Sequence, residues 1–290
     1  RKIPGSPAAD FRDEAGATVR TFGGRNAAPG EVAWDGIDDG GRKAKDGKYA
    51  VELEVTYANG NKPKVISNQF RIDTVYPEIA VSSDALLFSP DGDGRLDALA
   101  VKQASSEEDL WEGEVRNAKA ERVRAFFWKG KAADFTWDGK DDNGNRVPDG
   151  FYSYVVKAVR QSGNAVAKEL RGIQVDTRPT PIYATASAAG FSPNGDALKD
   201  EISFTLLATV KEGIRAWKLS VVHPAAGSQK EFGGTGSPPA SVTWDGKVGY
   251  QSAPEGTYTA VFSVEYAKGN LPEARTTAFR LDVSGPKVDL

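Results

Sequence analysis

The chain has 290 residues, 39% of them hydrophobic and 27% charged, which is the composition of a folded globular protein of roughly two or three domains. Its formal net charge of −3 gives no electrostatic reason to expect nucleic acid as a partner, and no apolar run is long enough for membrane insertion. Cysteine is absent, which excludes disulfides, Cys-ligated zinc and thiol nucleophiles. The chain starts at Arg1 without a signal-like segment, so we expect an internal fragment or a processed product.

A Trp-Asp-Gly motif occurs three times and divides the chain into repeats. The three tryptophans, separated by 103 and 107 residues, are Trp34, Trp137 and Trp244. A period of about 105 residues corresponds to one β-sandwich domain rather than to a solenoid turn. We expect the first unit to have missing or divergent opening strands, because the counterpart of the second unit's start would precede Arg1. The predicted units are 1–77, 78–180 and 181–285, with 286–290 as the start of a further unit or a tail.

The second and third units open with the same segment, Phe-Ser-Pro-Asx-Gly-Asp, at residues 88–93 and 191–196. Alternating apolar residues follow it. They are Leu99 and Val101 in the second unit, and Ile202, Phe204 and Leu206 in the third. This alternation predicts a strand in which every second side chain faces a core.

A second alternating segment follows each Asp/Glu-Gly-x-Tyr step. Its apolar residues are Tyr49, Val51, Leu53, Val55 and Tyr57 in the first unit, and Tyr258, Ala260, Phe262, Val264 and Tyr266 in the third. Turn clusters rich in Asn and Gly separate such strands, and long helical periodicity is missing. The sequence therefore predicts an all-β protein made of tandem immunoglobulin-like (fibronectin type III-like) antiparallel β-sandwiches.

Short linkers that contain proline join the units, at residues 73–77 and 176–181. Proline restricts φ and narrows the range of linker conformations. We therefore expect the units to stack end to end as a semi-rigid rod.

The motifs carry a resemblance to a known family. Residues 88–97 and 191–200 resemble the opening signature of a bacterial immunoglobulin-like family, which includes the C-terminal domain of the flagellar hook-capping protein and the C-terminal modules of gliding-motility-associated secreted proteins. Residues 137–152, closely matched by 34–49, are similar to the second half of that family's domain. The third unit departs from it, since Ala197 takes the place of Gly94 and residues 248–250 replace the acidic turn. The resemblance implies an extracytoplasmic, non-catalytic module that often occurs in tandem.

Three aspartates in the opening segment suggest a cation site. Asp91, Asp93 and Asp97 are closely spaced on a loop with two glycines, and Ca²⁺ prefers several oxygen ligands. The alternative is that these side chains bind the neighbouring backbone and shape the loop, and we favour that alternative narrowly. The counterparts in the third unit, which are weaker candidates, are Asn194, Asp196 and Asp200.

Two other groups of residues were candidates for chemistry. The acidic turns at residues 35–39 and 138–142 could hold a metal, but the third unit keeps its Trp-Asp-Gly motif without those acids, which favours a hairpin role. His223 is the single histidine and has no counterpart in the other units, so it does not indicate catalysis. Nucleophile elbows and phosphate-binding glycine loops are missing, and we predict that the chain is not an enzyme.

One aromatic segment is not repeated. Phe127 and Trp128 occupy positions that are glycines in the outer units, and Lys129 follows them. Exposed aromatic residues beside a cation are typical of a protein or glycan contact. The alternative is that they cover a junction or pack on a neighbouring strand.

These observations predict a spacer and protein-interaction array in the periplasm, at the cell surface or in secreted form. Its partner would be a protein or a cell-envelope component, with a glycan as a further candidate. One alternative is a calcium-dependent adhesin or glycan-binding module that uses Asp91, Asp93 and Asp97. Another is an accessory region of a larger secreted enzyme.

Overall fold

The computed structural model describes residues 5–25 and 30–284, and all regular secondary structure in these ranges is β-strand. The strands of the first unit are β1 (Gly5–Asp13), β2 (Thr18–Gly23), β3 (Gly47–Tyr57), β4 (Lys64–Ile66) and β5 (Phe70–Ile72). Those of the second unit are β6 (Ile79–Ser82), β7 (Leu87–Phe88), β8 (Leu99–Ser105), β9 (Glu108–Asn117), β10 (Arg122–Gly130), β11 (Phe135–Trp137), β12 (Gly150–Val159) and β13 (Ala165–Val175). Those of the third unit are β14 (Ile182–Ala186), β15 (Gly190–Phe191), β16 (Ile202–Ala208), β17 (Ile214–His223), β18 (Gly227–Thr235), β19 (Ser241–Trp244), β20 (Lys247–Val248), β21 (Gln251–Ser252), β22 (Gly256–Tyr266), β23 (Glu273–Arg275) and β24 (Phe279–Leu281).

The second and third units are two-layered sandwiches. In the second unit a five-stranded sheet of order β10-β9-β12-β13-β7 faces a three-stranded sheet of order β11-β8-β6. In the third unit the larger sheet has the order β15-β24-β22-β17-β18, with β23 also paired to β22, and the smaller sheet is β14-β16-β19. Nearly all pairs are antiparallel, except that β7 and β15 run parallel to β13 and β24. The structure thus confirms the all-β, immunoglobulin-like class that the alternation predicted.

Each complete unit has its own core between the two sheets. Tyr154 and Val156 from β12 pack with Leu99 and Val101 from β8 and with Trp137 in the second unit. The third unit repeats this arrangement, with Phe262 of β22, Phe204 of β16 and Trp244 fully buried. Both cores form because alternate side chains of each strand point inward, so that two facing sheets remove two apolar surfaces from water together.

The described part of the first unit forms one sheet instead of two. Its order is β2-β1-β3-β4, with β5 also paired to β3. These strands correspond to the larger sheet of the other units, since β1 pairs with β2 and β3 as β9 pairs with β10 and β12. Among the described residues of the first unit, 5–25 and 30–77, no strand corresponds to β6, β7 or β8.

Two side-chain hydrogen bonds recur in all three units. The indole N–H of Trp34 donates to the carbonyl of Ile37 at 2.7 Å, and Trp137 and Trp244 make the same i to i+3 bond. The hydroxyl of Tyr49 donates to the carbonyl of Lys45 at 2.7 Å, and the tyrosines that begin β12 and β22 bind in the same way to Pro148 and Pro254. Each Asp/Glu-Gly-x-Tyr step is therefore a tyrosine corner that ties the central strand to the preceding loop.

Membrane-spanning helices are not found in the ranges 5–25 and 30–284, where no helix has the length and hydropathy to cross a bilayer.

Candidate functional sites in the acidic loop and at the unit junctions

The acidic loop of the second unit is held by bonds from its own backbone. Asp97 accepts the N–H groups of Gly92 and Gly94 at 2.7 and 2.8 Å, one on each carboxylate oxygen. Asp91 accepts the N–H of Asp93 at 3.2 Å, and Asp93 accepts the N–H of Arg95 at 2.8 Å. The three carboxylates thus act as the acceptors of consecutive turns, which is the loop-shaping role weighed against calcium binding.

The corresponding loop of the third unit has the same bonds. Asp200 accepts the N–H groups of Gly195 and Ala197, both at 2.8 Å. Asn194 stands where the second unit has Asp91 and accepts the N–H of Asp196 through its amide oxygen at 3.1 Å. The turn therefore has the same backbone hydrogen bonds with an amide at this position as with a carboxylate.

The acidic loop of the second unit also contacts the third unit. The amide of Asn270, in the β22–β23 turn, donates to Asp91 at 2.6 Å and to Asp93 at 3.2 Å. Burial would raise the pKa of Asp91, but hydrogen bonds from Asn270 and Ser89 outweigh it, so the pKa lies below its ordinary value. One oxygen from each of Asp91, Asp93 and Asp97 lies within 4.8 Å of the others, and the buried amide oxygen of Asn270 has no hydrogen-bond donor. The three carboxylates are the groups that could ligate Ca²⁺ here, whereas Asn270 directs its amide N–H groups at Asp91 and Asp93.

The other groups considered for chemistry are also bound to backbone. Asp141 accepts the N–H groups of Asn143 and Asn145 at 2.9 and 2.8 Å, which lowers its pKa, and residues 140 and 146 form a bridge across the turn. The acidic turn is therefore a hairpin, as its replacement in the third unit suggested. The Nδ1 atom of His223 accepts the N–H groups of Ala225 and Ala226, which leaves this histidine in a turn.

The aromatic segment is split between two faces of β10. Phe127 is 62% exposed and Lys129 is exposed as well. Trp128 is half-buried against the core, 6.0 Å from the ring of Phe126 and 5.7 Å from that of Phe135. The expectation that Trp128 is exposed beside Phe127 was wrong, because consecutive residues of a strand point to opposite faces. Of these three residues, Phe127 and Lys129 are the two that face solvent.

The junction between the second and third units contains a buried charge pair. Lys268, in the β22–β23 turn, lies 3.2 Å from a carboxylate oxygen of Asp176, and their side chains are 6% and 10% exposed. The ammonium group of Lys268 also donates to the carbonyl of Arg178. Hydrogen bonds from Arg178 and then from Lys268, opposed by burial, lower the pKa of Asp176 to about 2. The pair holds the linker against the third unit.

The junction between the first and second units uses the same turn of the fold. Arg160, where the β12–β13 turn begins, lies 3.4 Å from Asp73 and 2.8 Å from Glu108, whose side chain is 5% exposed. Asn164, where the turn ends, donates its amide to the carbonyls of Asp73 and Val75 at 2.9 and 3.1 Å. In both junctions the turn binds the linker aspartate and the carbonyl two residues after it.

This turn has the same backbone bonds in all three units. The N–H of Arg160 donates to the carbonyl of Asn164, and the pairs Tyr57–Asn61 and Tyr266–Asn270 do the same, each at 2.9 Å. Ser162 and Lys268 hold equivalent positions, and both contact the linker aspartate. The sequence motifs discussed above do not include this junction turn. A Gly-Asn pair marks it in the sequence, repeated at residues 60–61, 163–164 and 269–270.

Comparison with known proteins agrees with the fold and with the motif resemblance. Residues 91–162 match the family described as the FlgD Ig-like domain, which confirms the resemblance for the second unit. No curated protein matches the chain.

Several solved structures have a low similarity to the chain. One is a tetra-tandem repeat from the extending region of a large adhesion protein, at 17% identity and a TM-score of 0.35, with 98% of this chain and 68% of that chain covered. Another belongs to a 1.5-MDa bacterial ice-binding adhesin, at 12% identity and a TM-score of 0.37, with 96% and 87% covered. The fibronectin(III)-like modules of Clostridium thermocellum CbhA match at 12% identity and a TM-score of 0.37, with 73% and 100% covered.

Proposed function

We propose that the chain is a non-catalytic array of immunoglobulin-like units that acts as a spacer and interaction module of a bacterial extracytoplasmic protein. The observation that carries this proposal is the repeated junction, in which one hairpin turn binds the same two linker groups twice. Two units joined by a flexible linker move relative to each other unless contacts between them restrict that motion. A junction with a buried ion pair and several hydrogen bonds limits that motion, as a semi-rigid spacer requires.

The chemistry of the charged side chains supports a structural role. The single histidine accepts two backbone N–H groups, and the aspartates of the repeated loops accept backbone N–H groups in the same way. A side chain that acts as general acid, general base or nucleophile must be free to contact the substrate and must lie beside a space that the substrate can occupy. The groups described above serve turns instead, which favours a binding or spacing role over catalysis.

The match of residues 91–162 to the FlgD Ig-like domain supports an extracytoplasmic location, at the surface, in the periplasm or in secreted form. Under this proposal the partner is a protein or a component of the cell envelope, with a glycan as a second candidate. Phe127 and Lys129 are the residues we assign to that contact, since Phe127 is an exposed aromatic beside a cation. The alternative function is an accessory region of a larger secreted enzyme. Such a region would have the same junctions but would bind no partner itself.

Distance measurements between two spin labels test the spacer role. The chain has no cysteine, so labels can be placed at Lys119→Cys and Ala225→Cys, two exposed positions in the second and third units. We expect a narrow distance distribution that broadens in Lys268→Met and stays narrow in Lys211→Met, the exposed control. An equally broad distribution in all three proteins would overturn the spacer proposal.

We propose calcium binding at Asp91, Asp93 and Asp97 as a second candidate function, which would make a surface contact calcium-dependent. The observation that favours it is the convergence of the three carboxylates of Asp91, Asp93 and Asp97 at the second junction. A ligand that binds only the folded state raises its unfolding temperature. We expect Ca²⁺ to raise that temperature relative to chelator in the parent chain and not in Asp93→Asn, with Asp196→Asn as the matched control. No shift in the parent chain would exclude this function.

A further inference from the structure

The smaller sheet of the third unit has seven outward-facing side chains, and all seven are uncharged. Alternate residues of β14, β16 and β19, such as Ile182, Phe204 and Trp244, point into the core, and the residues between them point away from it. Five of these outward side chains carry hydroxyl groups, and they are Thr185, Ser203, Thr205, Ser241 and Thr243. Together with Tyr183 and Leu207 they form what we call the neutral face.

Tyr183 and Leu207 make one end of the neutral face apolar. They lie directly opposite each other on β14 and β16, and they are 55% and 50% exposed. An exposed apolar pair beside polar residues is typical of an interaction surface. A tyrosine ring also offers a flat apolar surface with a hydroxyl at its rim, which suits a ligand that is apolar on one side and polar at its edge.

Hydroxyl groups fill the rest of the neutral face. Thr205 lies directly between Thr185 on β14 and Ser241 on β19. In the next row the hydroxyl oxygens of Ser203 and Thr243 are 3.0 Å apart and share a hydrogen bond. Each hydroxyl can both donate and accept hydrogen bonds, and the strands hold these groups in register. The face therefore offers a regular set of donors and acceptors without a net charge.

The second unit shows that the sandwich does not require a neutral face at this position. Strand β6 pairs with β8 as β14 pairs with β16, and Ala80 and Ala104 occupy the positions of the apolar pair. Lys102 occupies the position of Thr205 and forms an ion pair with Asp84 at 2.6 Å. The aromatic ring, the leucine and the uncharged hydroxyl rows are therefore features of the third unit and not of the fold.

The size and the charge of the neutral face limit what can occupy it. Neighbouring strands lie about 4.8 Å apart and residues on one face of a strand about 6.8 Å apart, so three strands and three rows span about 10 Å by about 14 Å. A stable protein interface covers about 800 Å² on each partner, which is several times that area. A second copy of the chain would therefore bind only weakly here, and an acidic or basic polymer would meet no opposite charge.

We infer that the neutral face binds a short stretch of a neutral glycan. A sugar ring has an apolar face of C–H groups and a rim of hydroxyl groups, and the neutral face offers a partner for each. The ring of Tyr183 packs on the C–H face of one sugar, and the hydroxyl rows beside it exchange hydrogen bonds with the next sugars. The inference rests on the interaction role proposed above, but it assigns the glycan contact to the third unit instead of to Phe127.

Isothermal titration calorimetry of the intact chain tests this inference. The probes are short oligosaccharides of glucose, mannose, galactose and N-acetylglucosamine, with an oligosaccharide of galacturonic acid as the charged comparison. We expect at least one neutral probe to bind and the acidic probe not to bind. Tyr183→Ala should raise the Kd of the bound probe about tenfold or more, because it removes the stacking surface. Tyr250→Ala is the matched control, since Tyr250 is fully exposed in the same unit and lies outside the neutral face.

A charge substitution tests the hydroxyl rows. Thr205→Lys should raise the Kd about tenfold, because an ammonium group in the middle of the face has no partner on a neutral sugar. Thr205→Ser keeps the hydroxyl and should keep the binding. Lys102 and Ala80 hold the equivalent positions in the second unit, so the sandwich accommodates Thr205→Lys and Tyr183→Ala, and both variants should keep the parent chain's unfolding temperature.

Four outcomes would overturn the inference. The first is that none of the neutral oligosaccharides binds, and the second is that Tyr183→Ala binds as tightly as the parent chain. The third is that the galacturonic acid probe binds as tightly as the neutral ones. The fourth is a dimer in sedimentation velocity that Tyr183→Ala dissociates, since a second copy of the chain would then be the occupant of the face.

Failure of this inference can be told apart from failure of the proposed function. If Phe127→Ala abolishes glycan binding and Tyr183→Ala does not, the neutral face is not the site, but the interaction role stands. The spacer role is measured by the spin-label distances between residues 119 and 225, which do not involve the neutral face.

Discussion

The first and second units share the Trp-Asp-Gly and Asp-Gly-x-Tyr motifs, yet among the described residues only the second closes around a core. Trp34 and Trp137 make the same indole hydrogen bond, and Tyr49 and Tyr152 make the same corner. The difference lies in burial, since Trp137 is 1% exposed while Trp34 is half-buried. Local bonds therefore form within one layer, whereas burial of the apolar stripe needs the second layer as well.

Truncation of the repeated tryptophan should show the largest difference between the units. Trp137→Ala removes a fully buried side chain from a closed core, and we expect it to cost about 4 kcal/mol of the second unit's stability. Trp34→Ala should cost about half as much in the first unit, since part of that ring already contacts water. Amide exchange of β12 and β3, measured by mass spectrometry, gives the two values separately. A larger cost for Trp34→Ala would contradict the comparison.

The junctions provide the next test. Arg160→Leu leaves the buried carboxylate of Glu108 without its cation, and we expect a loss of about 3 kcal/mol at the first junction. The first unit should lose exchange protection with it, because the described residues of that unit form one sheet with no facing sheet. Arg171→Leu is the control, since Arg171 is 81% exposed in its ion pair and such pairs contribute little. Unchanged protection of β3 in Arg160→Leu would show that the first unit is stable without the junction.

The second junction should respond to pH. The pKa of Asp176 is about 2 in the folded chain, against 3.8 for the free side chain, because Arg178 and Lys268 stabilise its charged form. A group with a lowered pKa stabilises the fold above its unfolded pKa, and this contribution is lost as the pH falls through the folded value. The label-to-label distance distribution across the second junction should therefore broaden between about pH 4 and pH 2. Asp176→Asn should remove this pH dependence. If the distribution of the Asp176→Asn chain broadens over the same pH range, a group other than Asp176 is responsible.

The tyrosine corner should show the smallest effect and no difference between units. Tyr49→Phe and Tyr258→Phe each remove one hydrogen bond to a carbonyl four residues upstream, which is worth about 1 kcal/mol. The two costs should be equal, because the corner forms within one hairpin and does not involve the second layer. Urea unfolding followed by amide exchange in β3 and β22 measures both. A cost confined to Tyr258→Phe would mean that the corner depends on the closed core.

Much of the fold was readable in the sequence because its signals are local and repeated. The spacing of Trp34, Trp137 and Trp244 gave the period, and strict alternation after Tyr49 and Tyr258 predicted strands with one buried face. The loop-shaping role of Asp91 and Asp93 was also foreseeable, since Asx side chains commonly bind the backbone N–H two residues further on, as these two do. Each of these inferences depends on residues that are neighbours along the chain.

The candidate contacts depended on information that lies outside any one segment. The sequence showed that Phe127 and Trp128 replace glycines, but only the strand's orientation in the sheet decided that Phe127 faces solvent and Trp128 faces the core. The meeting of Lys268 with Asp176 joins residues 92 positions apart in different units. That pairing arises from how one unit packs on the next, which residue spacing within a unit does not encode.

Sequence alone thus determined the strand pattern, the three-fold repeat and the chemistry of each turn, because short-range sterics and hydrogen bonding specify them residue by residue. Tertiary structure decided which apolar stripes are covered and which charges are paired across a junction. Those outcomes depend on the approach of distant layers, and burial contributes to stability only when both layers are present.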